Sequence, residues 1–134
     1  MISFKTTSTF RRQIEKLLKV RRNVYVSVIN EIKSALDNVP IEQIRINRDM
    51  ILMEDDILII KLRLPDKKQK LSRKDGYRLI YLVSKVDNLV VFLYIYPKNG
   101  PLQQLDVDNK DVEDLVAEYN IEAENKKLED FVMQ

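Results

Sequence analysis

The feature that most constrains this chain is a change of hydrophobic period near residue 44. Before it, apolar residues recur every three or four positions; after it they crowd into short runs typical of strands. Ile57–Leu64 (ILIIKLRL), Tyr77–Ser84 (YRLIYLVS) and residues 89–96 (LVVFLYIY) read as three strands. Residues 85–88 join the last two at hairpin length, so those strands should pair antiparallel. Residues 44–46 and 50–53 read as short extended pieces separated by residues 47–49. Ahead of the period change, Ile2 to Thr6 alternate as a short strand. Thr7–Thr9 offer N-cap hydroxyls to a stripe at Phe10, Ile14, Leu17 and Leu18. A second stripe, Tyr25, Val28, Ile29, Ile32 and Leu36, completes a helical hairpin. Near the C-terminus Val112, Leu115, Val116 and Tyr119 form another helical set, and Leu128, Phe131 and Val132 suggest that helix resumes beyond Asn120. The order β-α-α-β-β-β-α predicts an α+β protein, an N-terminal strand and helical hairpin packed on an antiparallel sheet, with a C-terminal helix, all the helices lying on one face of the sheet.

At 134 residues the chain is expected to form one domain, residues 1–134, with 106–134 an acidic C-terminal helical extension. It has no cysteine and no histidine, which removes disulfides, thiolate zinc sites, cysteine nucleophiles and the usual neutral-pH general base. No apolar run approaches a membrane span, and MISFKTTSTFRRQ lacks the apolar core of a signal peptide, so a soluble cytoplasmic protein is expected. The net charge of +2 conceals a division. Residues 1–100 carry 20 Lys and Arg against 11 Asp and Glu, and residues 101–134 carry 3 against 10. A basic body points to a polyanion partner, unless the charge is merely a solvated surface.

Alternation places Lys61 and Arg63 on one face of the first strand. Arg78 lies just inside the second strand and Lys98 just beyond the third. Pairing of these three strands would converge the four cations, an arrangement suited to a phosphodiester whose oxygens gain charge during attack. Arg78 is expected to face solvent, so that its removal would leave the fold intact. Residues 65–75 (PDKKQKLSRKD) hold Lys67, Lys68, Lys70, Arg73 and Lys74, read as a mobile basic loop that follows a nucleic-acid backbone or as a soluble hairpin tip. Tyr94 and Tyr96 share a face with Lys98 and could stack on bases, although strand tyrosines are more often core. Glu54, Asp55 and Asp56 lack metal-ligand spacing and read as a structural turn.

The segment from Lys61 to Gly100, KLRL…GYRLIYLV…LVVFLYIYPKNG, resembles the core of the RelE/HigB superfamily of type II toxin–antitoxin toxins. With the preceding strand and hairpin, the resemblance covers about residues 2–105. It implies a RelE-like fold and a ribosome-dependent mRNA endoribonuclease that needs no metal or other cofactor, the RNA's own 2′-hydroxyl attacking the adjacent phosphate. It also implies a cognate antitoxin of helix-turn-helix type as partner, beside the ribosome and mRNA. By position it makes Lys61, Arg78 and Lys98 catalytic: Arg78 and Lys98 stabilise the phosphate, and Lys61 accepts a proton. Arg63, Lys67, Lys68, Lys70, Arg73, Lys74, Tyr96 and Asn99 are then RNA-binding. The chain departs from RelE-type members after Lys98, where Asn99 replaces an arginine and residues 100–105 contain no tyrosine; HigB-like members commonly carry Lys-Asn. Two other functions fit the same resemblance: a ParE-like gyrase inhibitor without enzymatic activity, and an inert member that only binds RNA or protein.

Overall fold

A computed structural model of the chain describes residues 1–46 and 49–133. Among these residues the sheet order is β2-β3-β4-β5-β1-β6. Its strands are β1 (Ser3–Thr6), β2 (Met50–Glu54), β3 (Ile57–Leu64), β4 (Tyr77–Ser84), β5 (Leu89–Pro97) and β6 (Glu129–Asp130). The α-helices are α1 (Ser8–Leu18), α2 (Val28–Leu36), α3 (Ile41–Arg45) and α4 (Asn109–Glu124). The class is α+β as expected, and the sheet is antiparallel except where β1 lies parallel to β5. No described helix is long and apolar enough to cross a membrane.

The helical hairpin follows from its stripes. The Thr7 hydroxyl accepts from the Phe10 N–H at 3.3 Å, capping α1, and Phe10, Ile14 and Leu17 turn inward. Val28, Ile32 and Leu36 of α2 join Leu58, Ile60, Leu79, Tyr81, Val83 and Phe92 in the larger apolar cluster. The turn between β4 and β5 closes with Asn88 at φ 51°, a left-handed position that Asn tolerates well.

Four expectations about the architecture are corrected. First, the helices cover both faces of the sheet. Val112 and Leu115 of α4 pack with Ile59, Ile80, Leu82, Val91 and Leu93, opposite the hairpin. All eight residues of β4 are buried in consequence. Second, residues 44–46 are not extended: Ile44 and Arg45 belong to α3. Pro40, whose ring fixes φ, precedes that helix, and Ile41 and Ile44 bury one helical face three residues apart. Of the expected separator at 47–49, residues 47 and 48 lie outside the described residues. Third, helix does not resume after Asn120 but runs through it to Glu124. It ends when Lys126 turns left-handed (φ 55°), its N–H bonded to Ala123 O and the Lys127 N–H to Glu122 O. Fourth, the C-terminal stripe is not helical: Leu128, Phe131 and Val132 flank the two-residue strand β6, which pairs antiparallel with β1, and the Phe131 ring meets Phe92 edge-on at 4.9 Å and Phe10 at 6.4 Å. The terminal segment therefore closes the core under α1 instead of lying apart.

Phe131→Ala should lower stability by about 2–3 kcal/mol, somewhat below the cost for a fully enclosed phenylalanine because one side of the ring remains open. Urea denaturation of the full-length chain measures it; a loss under about 0.5 kcal/mol would mean that the terminal strand adds little to the core.

Candidate functional site

The register of the three central strands builds the site. Arg63 of β3 pairs with Arg78 of β4, and Arg78 pairs with Tyr96 of β5. Strict alternation along β5 would place Tyr94 and Tyr96 beneath the helical hairpin with Val90 and Phe92. Instead Ile80 pairs with Tyr94 and Tyr81 with Phe92, leaving Leu93 as an extra residue. This bulge rotates Tyr94 and Tyr96 to the α4 face, and Ile95 takes the place beneath the hairpin.

Lys61, Arg63, Arg78 and Lys98 consequently line one concavity of about 390 Å³, with Tyr96 at its floor and Asp49, Met50, Ile51, Leu105 and Asp106 around it. Each cation has an internal partner. Lys61 Nζ donates to Asp106 Oδ1 at 3.2 Å, and Arg63 Nε lies 3.3 Å from Asp49 Oδ2. Lys98 Nζ donates to the Leu105 carbonyl. Arg78 is only 7% exposed, contrary to the expected solvent-facing cation. Its guanidinium donates to the carbonyls of Arg73 (2.9 Å), Tyr77 (3.1 Å) and Lys74 (2.7 Å). Burial, and then the neighbouring Arg63, lower its pKa, but a guanidinium remains charged at physiological pH. Asp106 is held below the usual carboxylate range first by the Val107 N–H and further by Lys61 and Lys98, against the effect of burial.

Tyr96 is 1% exposed, so its ring cannot stack on a base as expected; the position it fills lies under α4. Its hydroxyl reaches Asp106 Oδ1 at 3.5 Å, and burial first, then the Asp106 charge, push its pKa up to about 12. It enters the pocket as a neutral hydroxyl.

The basic loop is anchored, not free. Asp66 and Leu71 exchange backbone hydrogen bonds at 3.0 and 2.8 Å, and the Asp66 carboxylate accepts from Gln69 N and Nε2. Buried Glu31 of α2 accepts from the Lys67 N–H at 2.7 Å, and Arg78 grips the far end. Lys67, Lys68, Lys70, Arg73 and Lys74 all remain exposed but lie outside the pocket. Lys67 and Arg73 instead border a second concavity, which Arg63 also lines. Asn99 is not brought into the pocket either: its amide donates to Asp75 O, and its carbonyl accepts from Tyr25. Gly76 is required by close approach, because a Cβ there would lie 2.2 Å from Leu64 O.

Sequence reading missed Asp49 and Asp106. Neither stands in a recognisable motif, and both reach the cations only through tertiary folding. Among the described residues, no group of three or more acidic side chains is arranged to hold a metal ion. Asp56 serves the neighbouring turn, accepting from the Ser84 hydroxyl and the Val86 N–H. No protein-family model matches the chain, and no curated protein or solved structure matches it significantly.

Arg78→Ala should cost about 2–4 kcal/mol, because it strands carbonyls that now accept charge-assisted bonds. A chemical denaturation midpoint equal to that of the parent would refute this anchoring role. The tyrosines make a separate prediction. Burial is the first cause that raises Tyr25, Tyr77, Tyr94, Tyr96 and Tyr119 above the ordinary 10.0. Between pH 10 and 12 the unfolded chain loses phenolic protons that the folded chain keeps, so stability should be intact below 10 and decline as pH rises toward 12. Alkaline denaturation followed by tyrosinate absorbance tests this; a flat stability profile across that window would contradict it.

Proposed function

We propose that this protein is an RNA-cleaving toxin of the RelE/HigB type, acting on mRNA in the ribosome and restrained by a cognate antitoxin of helix-turn-helix type. The observation that carries the reading is the convergence of Lys61, Arg63, Arg78 and Lys98 around the Tyr96 hydroxyl in one open concavity. Such a cluster suits a pentacoordinate phosphorus, whose equatorial oxygens carry more charge than the starting diester. In this reading Lys98 and Arg78 hold the phosphate oxygens, and Lys61 stands at the attacking 2′-hydroxyl. Arg78 also positions the basic loop through the carbonyls of Arg73 and Lys74. The exposed loop lysines then follow the RNA backbone beyond the cut. The chemistry calls for no cofactor.

A second reading has its own observation. Asp106 and Asp49 already compensate Lys61 and Arg63, and Arg78 is committed to backbone carbonyls. A surface so compensated also suits a ParE-like gyrase inhibitor or a binder without catalysis.

Induced expression of the parent chain should produce mRNA breaks detectable by primer extension while gyrase supercoiling remains normal. Lys61→Gln and Lys98→Gln, both at partly exposed positions, should each reduce cleavage by about 10²–10³-fold with the fold retained. Intact mRNA with inhibited gyrase would establish the second reading instead.

A further inference from the structure

The segment after β5 runs along the cation pocket and turns its two middle residues, Leu105 and Asp106, into it, while the residues on either side turn away. Leu105 and Asp106 line the cation pocket, whereas Gln104 and Val107 line a neighbouring concavity of about 350 Å³ with Tyr94, Asp111 and Glu118. The segment is fixed at its start: the Gln104 N–H donates to Pro97 O at 2.9 Å, and the Tyr94 hydroxyl donates to Gln104 Oε1 at 2.8 Å. Fixing Gln104 delivers Asp106 to the cations. There its carboxylate accepts from Lys61 and Tyr96 through one oxygen, while Lys98 takes the adjoining Leu105 carbonyl.

A carboxylate and a phosphodiester ask for the same surroundings: cationic N–H donors, a neutral hydroxyl donor and an open side from which to arrive. Asp106 has all three here, and its side chain is 69% exposed, so it can swing out to water without breaking the core. Asp49 is less suited, meeting Arg63 alone from the opposite rim and being 31% exposed.

We propose that Lys61, Lys98 and the Tyr96 hydroxyl form the subsite for one phosphodiester group of the RNA backbone, and that Asp106 is the chain's own occupant of that subsite, displaced when RNA binds. The identity of the anion rests on the RNA-cleaving function proposed above; the competition between Asp106 and an anion does not. An arriving phosphate must displace the carboxylate from Lys61 and Tyr96. Removing the carboxylate's charge therefore tightens anion binding while the cations remain in place.

The test uses the full chain and two probes: a ten-nucleotide single-stranded RNA and inorganic pyrophosphate. Asp106→Asn should bind both about five- to twentyfold more tightly at low salt, the effect of one unit charge a few ångströms from the ligand in a largely solvated site. Adding Lys61→Gln to Asp106→Asn should abolish the gain. Asp114→Asn removes the same charge from the exposed side of α4 and should leave both affinities within about twofold. Tightening for pyrophosphate but not RNA would uphold the subsite and its occupant and refute RNA as the ligand. Unchanged pyrophosphate binding, an equal gain from Asp114→Asn, or a gain that survives Lys61→Gln would each overturn the proposal. Thermal melts of every variant separate these outcomes from loss of fold.

Discussion

Burial of β4 on both faces is the constraint on which the rest of the molecule depends. The face carrying Tyr77, Leu79, Tyr81 and Val83 meets the helical hairpin, and the face carrying Ile80 and Leu82 meets α4. A one-residue slip would exchange these sets and drive Arg78 beneath the hairpin, so the register is strongly fixed. At the end of the strand where α4 no longer covers it, Arg78 takes the next place on the same face. A buried guanidinium must satisfy its donors, and it does so by binding the carbonyls of the preceding loop. The pocket thus begins where the apolar cover of α4 ends, and the residue that marks this boundary also holds the loop.

The elements best legible in the sequence were those whose signal is local. The three long strands announced themselves by apolar runs, and α4 by a stripe bounded by an acidic start; its capping box joins Asp108 and Asp111. That both faces of the sheet are covered was also written in YRLIYLVS, since a strand apolar on consecutive positions has no face to give to water. The reading of helices on one face overlooked that pattern. The bulge at Leu93 had no such signal: LVVFLYIY fits either face assignment for its tyrosines. Without the bulge Lys61, Arg63 and Arg78 would still share a face, but Lys98 and the Tyr96 hydroxyl, which follow the alternation of β5, would not lie among them. The strand β6 was misread for a related reason. Two main-chain pairings with β1 decide it, and side-chain periodicity does not report them.

The division of charge along the chain takes on a different meaning once folded. Glu122 accepts from the Ser8 N–H at 3.0 Å, and Glu118 accepts from the N–H and hydroxyl of Thr9 at 3.3 and 2.6 Å. These carboxylates satisfy the open N-terminus of α1, where the helix dipole also favours negative charge. Glu129 and Asp130 lie beside Arg11 and Lys5 across the edge formed by β1 and β6. The acidic C-terminal region is therefore less a solvated tail than a fitted counterpart to the N-terminal elements, although its exposed ion pairs contribute little stability individually.

This fitting also changes what the basic body can offer a polyanion. Its cations fall into two groups with different electrostatic tasks. Lys61, Arg63 and Lys98 are held by internal acceptors at the pocket, and an incoming anion must compete with those acceptors. Lys68, Lys70 and Lys74 project from an anchored loop into solvent, where attraction to a distant polyanion operates without displacing a protein group. Salt should weaken the second group more than the first, because exposed charges are screened over about 8–10 Å whereas partly buried contacts are screened much less. On the proposed function, the loop would supply long-range attraction and the pocket selection: a ligand carrying one misplaced charge would gain from the lysines on the loop but could not replace Asp106 at Lys61 and Tyr96.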